Sequence, residues 1–183
     1  MVELKSPYVI DRLAEVEQAL RRASDWGSED PELSAYLAGY MIVLLCGVVE
    51  DCAEHLVSQR VSVGGDKELT SFLRARVSAT FRNPDKQNFN KIVKDFGPEC
   101  ASTYKGRMPE GADDALESIV TNKNALAHGE PSKFNVTLGD VEDYLSRASQ
   151  VFEVLEEVLA PTPPAPPTAT PLRGRRRGRR RGP

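Results

Sequence analysis

The chain has 183 residues, 40% of them hydrophobic, which is enough for one domain with a real core and excludes a wholly disordered protein. Its formal charge of −3 averages two unlike regions: from Pro161 onward there are seven arginines and no acid, which leaves 17 bases against 27 acids in the body, a net −10. Such a body is a poor nucleic-acid surface by charge alone, whereas the arginine tail is an electrostatic hook.

The N-terminal MVELKSPYVIDRL mixes charged and apolar residues and has no signal-peptide apolar core. A first helix is predicted over about 8–24, with Ile10, Leu13, Val16 and Leu20 on one face. Asp30-Pro31 then supplies a cap followed by proline at the first helical position, opening a long second helix to about Val61. Its stretch LSAYLAGYMIVLLCGVV is free of charge for 17 residues, short of the about 20 needed to span a bilayer, so it reads as a buried central helix. A soluble, cytoplasmic protein with no membrane partner is the expectation. Cys46, Cys52 and Cys100 form no CxxC pair and read as buried thiols of a reducing compartment.

After Gly64-Gly65, a third helix opens at Asp66 and carries Leu69, Phe72, Leu73, Val77 and Phe81 up to Asn83-Pro84. A short fourth helix over about 88–96 stops at Gly97-Pro98, and residues 100–111 read as a loop or a broken turn. Another helix runs from Ala112 to His128 and is stopped by Gly129 and Pro131. The last, about 139–159, has the cleanest amphipathic stripe: Val141, Leu145, Ala148, Phe152, Leu155 and Leu159. The expected fold is all-α, an antiparallel bundle of about five to six helices over residues 1–160. A proline-rich linker (161–172) and an arginine-rich tail (173–183) follow, both expected to be disordered.

The stretch TNKNALAHGEP, residues 121–131, carries the chemistry. On a helical wheel that starts at Ala112, the residues Ala115, Leu116, Ile119, Val120, Leu126 and Ala127 form an apolar stripe. Lys123 falls at its centre, while Asn124 and His128 sit one turn apart on its flank. A charged residue at that place must snorkel, find a partner or line a cleft. An ordinary helix end would also accommodate these side chains, because lysine snorkels and the dipole favours a basic group in the last turn.

Lys123-Asn124-Ala125-Leu126-Ala127-His128-Gly129 resembles the RNxxAHG signature of HEPN domains. VVEDCAEHLVSQRV resembles the long acidic-centred helix of that family, and FRNPDKQNFNKIVKDFG the middle element of its RiboL-PSP type. FNVTLGDVEDYLSRASQVFEVLEEVL is similar to the closing loop and helix, so the likeness covers about residues 10–159. It implies a helical homodimer with the site at a two-fold cleft, acting on RNA as a metal-independent, cofactor-free endoribonuclease. Many relatives belong to toxin–antitoxin or phage-defence systems, which implies a neutralising antitoxin or other protein partner. His128 would serve as general base or acid, since histidine changes charge nearest neutrality. Asn124 would orient the ring or bind a phosphate oxygen, and Lys123 would offset charge on the phosphorane.

Glu50, by the same resemblance, approaches the cleft and pairs with Lys123 or His128. Lys123 stands where the signature has arginine, a point charge in place of a planar fork. A HEPN-like dimerisation or binding module with weakened catalysis is therefore the alternative. His55 has no partner spacing and reads as a surface residue. In the tail, Arg173, Arg175, Arg176, Arg177, Arg179, Arg180 and Arg181 are candidate nucleic-acid contacts; equally, they have an acidic body to fold back on.

Overall fold

A computed structural model describes residues 4–63, 67–129 and 134–160; the linker and the seven candidate arginines of the tail lie outside them. Seven helices occur among the described residues: α1 (Pro7–Gly27), α2 (Pro31–Ser62), α3 (Lys67–Phe81), α4 (Lys86–Asp95), α5 (Pro98–Arg107), α6 (Ala112–Ala127) and α7 (Leu138–Leu159). The architecture is all-α, with more helices than the five to six expected.

Local chemistry accounts for most of the boundaries. The Asp30 side chain accepts from the amides of Glu32 and Leu33 at 3.0 and 3.1 Å, with Pro31 opening α2. Asp85 caps α4 by accepting from the Asn88 amide at 2.8 Å. Thr137 and Asp140 form a reciprocal capping box at the start of α7. Gly27 ends α1 against the start of α2, where an added Cβ would lie 3.0 Å from the Ser34 backbone. That close approach sets the α1–α2 turn.

The extra helix is α5, which occupies most of the predicted loop. Gly97-Pro98 does stop α4, but the same proline is also the first residue of α5. Glu99 in the first turn and Lys105 and Arg107 in the last complement the dipole, and buried Tyr104 anchors the helix. A second correction falls on α1: its inward face starts at Val9, fully buried, while Ile10 is exposed. The face is Val9, Leu13, Val16, Leu20 and Ala23, in alternating steps of four and three.

Helix α2 is the hub, packed against α1, α3, α6 and α7. It is long and apolar enough to cross a membrane by length and composition, and twelve of its residues are buried within the bundle. All six stripe residues expected on α7 are buried. In the core, the Phe81 and Phe89 rings meet edge-on at 5.2 Å, and Phe89 meets Phe152 at 6.3 Å. These three rings fasten the α3–α4 connection to α7, which matters for the site.

Candidate functional site

Helix α6 lies against α2, α7 and α4. Ala115, Leu116, Ile119 and Val120 of its predicted stripe are buried, but in the last turns the buried side shifts. Ala125 is buried, Leu126 half-buried and Ala127 exposed. Here α6 is received by a notch in α2: a Cβ on Gly39 would lie 3.6 Å from the Leu126 methyls and 3.9 Å from the Phe134 ring. Lys123 acts electrostatically on Cys46 and Glu50, one turn apart further along α2. The two helices therefore run antiparallel, with Gly39 opposite Leu126 and the Cys46–Glu50 turn near Lys123.

Lys123 is half-buried, and its ammonium donates to Oδ1 of Asn83 at 3.0 Å. Of the three routes open to a lysine on an apolar stripe, it takes a partner. Asn83 belongs to the α3–α4 loop, which the sequence marks as a helix stop and as part of the segment resembling the family's middle element, without singling out this side chain. Its placement is firm: the Asn83 carbonyl accepts from the Asn88 side-chain amide at 2.8 Å and from the Asp85 amide at 2.8 Å, between buried Phe81 and buried Pro84.

Glu50 is half-buried in the same region. Burial pushes its carboxyl above the ordinary glutamate range, Glu54 and Asp51 push the same way, and Lys123 and Arg82 oppose them. Among the described residues no ion pair within 4.0 Å joins Glu50 to Lys123 or His128, so the expected pairing is a Coulombic proximity to Lys123 and not a contact. Arg82 is the other residue that the sequence reading passes over. Its signal was available, since FRNPDK places a cation and an amide directly before a proline. The Cys46 thiol nearby is pushed up to about 11, chiefly by burial.

His128 occupies the C-cap of α6, with its backbone amide bonded to the Asn124 carbonyl at 2.9 Å. The chain then turns away at Gly129, whose φ is +67°. The imidazole is exposed, Asn124 is half-buried, and no side-chain hydrogen bond joins them among the described residues. The site thus presents one accessible imidazole, one ammonium held by an amide, and a half-buried carboxylate. An imidazole can exchange a proton with a bound group, and an ammonium can donate to an anionic oxygen. Among the described residues no group of three or more His, Cys, Asp and Glu side chains is placed to hold a metal ion.

Beside this cluster α2 leaves an apolar strip uncovered. Leu33, Tyr36, Tyr40 and Val43 follow steps of three, four and three, and all are exposed, Tyr36 by 71% and Tyr40 by 64%. Tyr36, Gly39, Tyr40 and Val43 line a groove of about 600 Å³ together with Leu126 and Phe134.

His55 departs from the surface reading. It is half-buried on α2 and stacks on Tyr8 of α1, with ring centroids 4.1 Å apart at 15°.

No curated protein and no solved structure matches the chain. The family model for RiboL-PSP-HEPN matches residues 62–160, from the end of α2 through α7, including the whole of the signature helix. That span is just over half of the sequence, and the helices it covers carry Lys123, Asn124 and His128 in order on α6: the chain belongs to the RiboL-PSP-HEPN family.

Proposed function

We propose that this protein is a metal-independent endoribonuclease that works as a homodimer, with the α6 C-termini of two subunits lining one cleft. The observation that carries this reading is the accessible His128 at the end of α6, five residues beyond an ammonium already held in place by Asn83. In the reaction the ribose 2′-oxygen attacks the adjacent phosphorus and the P–O5′ bond breaks. His128 moves a proton to or from these oxygens, and Lys123 offsets the added charge on the phosphorane. The products are a 2′,3′-cyclic phosphate and a 5′-hydroxyl.

The dimer reading rests on the α2 strip. Its spacing is that of a helix–helix seam, and a seam on a two-fold axis is self-complementary. Exposed tyrosines at its centre are the side chains that protein interfaces favour. A second copy of this chain is the occupant, because the strip continues through Gly47 to Glu50 and so brings a partner to the edge of the site. The arginine tail would then raise the local concentration of RNA near an acidic body. A toxin or defence role, with a protein partner that silences the site, fits such an enzyme.

The alternative, a binding module with weakened catalysis, is favoured by lysine at 123, which lacks the bidentate fork of arginine. Cleavage of RNA by wild type, His128→Ala and Lys123→Arg separates the two. The nuclease reading expects cutting by wild type, cyclic-phosphate ends and their loss in His128→Ala. Cutting by Lys123→Arg alone would make the natural protein the degenerate member. In light scattering, Tyr36→Glu combined with Tyr40→Glu should halve the mass; an unchanged mass places the interface elsewhere.

A further inference from the structure

The loop between α3 and α4 brings to the site a cation that the mechanism above does not use. Arg82 follows Phe81 directly and precedes Asn83, and both loop residues are exposed between the buried anchors Phe81 and Pro84. Lys86, four residues on, is committed to Asp113 and Asp114 at 3.2 and 2.7 Å. For Arg82, no carboxylate lies within 4.0 Å among the described residues. It acts electrostatically on the same Glu50 that feels Lys123, so the two cations flank one region of the surface.

The amide between them completes the pattern. Because Oδ1 of Asn83 is taken up by the Lys123 ammonium, its Nδ2 is left as a donor, with no acceptor among the described residues. A guanidinium on the residue before Asn83, the ammonium bonded to Asn83 and the free amide N–H of Asn83 thus belong to one stretch of surface, all donors, two of them charged. Such a set has few ligands to choose from. It suits a tetrahedral oxyanion, whose several oxygens can each take a donor, and the guanidinium can grip two of them at once.

We propose that Arg82, Lys123 and Asn83 form a subsite for a backbone phosphate of RNA, in which Arg82 supplies the bidentate grip that the lysine at 123 lacks. This rests on the ribonuclease reading for the identity of the ligand. Arg82 comes from a different helix pair than His128, so the subsite also ties the α3–α4 loop to the position of the strand being cut.

The test uses the full chain and a single-stranded RNA carrying 2′-O-methyl groups throughout, which binds but cannot be cut. Affinity is measured over a salt series for wild type, Arg82→Ala, Arg82→Lys and His128→Ala, with thermal melts to confirm that each is folded. Arg82→Ala should weaken binding by about tenfold and reduce the slope of log K against log salt by about 0.7, the value for one phosphate contact on a single strand. Arg82→Lys should keep the slope and regain only part of the affinity. The tail is present in every variant, so its contribution cancels. Equal slopes and affinities for wild type and Arg82→Ala overturn the subsite. Cleavage of unmodified RNA is scored separately. An Arg82-dependent slope without cleavage overturns the nuclease reading alone, and His128-dependent cleavage with an Arg82-indifferent slope overturns the subsite alone.

Discussion

The Lys123 ammonium and Oδ1 of Asn83, 40 residues apart in sequence, are joined by a hydrogen bond of 3.0 Å. It links α6 to the α3–α4 loop and lets a charged group leave an apolar face without losing a partner. Because the contact is solvent-accessible, its share of folding stability is small, about 0.5–1.5 kcal/mol. Its larger effect is to fix where the positive charge sits.

Asn83 substitutions separate these two roles. Asn83→Ala should lower the melting temperature by only a few degrees and reduce cleavage, since the ammonium loses its fixed position. Asn83→Asp should keep or raise the melting temperature by giving Lys123 a carboxylate, yet reduce cleavage further, by about tenfold or more, by neutralising the charge needed at phosphorus. Melting curves and cleavage rates on the same preparations check this; activity that simply tracks stability would contradict it.

Glu50 offers a prediction with a sign. Its folded-state carboxyl holds its proton more strongly than the unfolded one, because of burial first and then Glu54 and Asp51. Between the two pKa values the native state binds more protons, so the associated stability is full below about 4.5 and is lost as pH rises through the folded value. At pH 7 the ionised carboxylate therefore works against folding. Glu50→Gln should raise the melting temperature at pH 7 by roughly 1–3 °C and change it little at pH 4. Equal gains at both values would show that ionisation is not the cause. If Glu50 also serves the site, the stabilised variant should cut more slowly.

Particular residues show which parts of this molecule were legible in its sequence. The α7 stripe was, because every inward residue meets the core and the period is unbroken. Lys123 stood out for the same reason, as a cation at the centre of a stripe. Its partner could not be read, since nothing local to TNKNALAHGEP specifies an asparagine on another loop. Helix α5 was hidden by a two-sided signal: Gly97-Pro98 ends one helix and begins the next. The His55–Tyr8 stack was invisible because its halves lie on different helices. Periodicity reports which face is covered, but not by what.

The thiols follow from the same packing. Burial pushes Cys46 up to about 11 and Cys52 up to about 12, so both stay protonated near neutrality. Cys100 is half-buried, with its sulfur 4.0 Å from the Val158 carbonyl. In a timed reaction with a thiol reagent at pH 7.5, Cys100 should react first, and Cys46 and Cys52 only on unfolding. Mass mapping of the labelled sites checks the order; early labelling of Cys46 would mean that the α2–α6 contact opens in the native protein.

His55 gives the opposite pH sign to Glu50. Its Nε2 is buried with no hydrogen-bond partner among the described residues, and its ring lies flat on Tyr8. Burial lowers its pKa below the ordinary 6.5, so the native state prefers the neutral ring. Below that value the unfolded chain binds the proton that the native one resists, and stability falls as pH decreases from about 6.5 through the folded value. His55→Phe keeps a stacking partner for Tyr8 and removes both the buried nitrogen and the titration. Urea melts at pH 5, 6.5 and 8 should show the variant more stable than wild type by the widest margin at pH 5 and the narrowest at pH 8. A margin that does not change with pH would assign the effect to packing alone. A margin that grows toward pH 8 would mean that the ring is held charged, contrary to its burial.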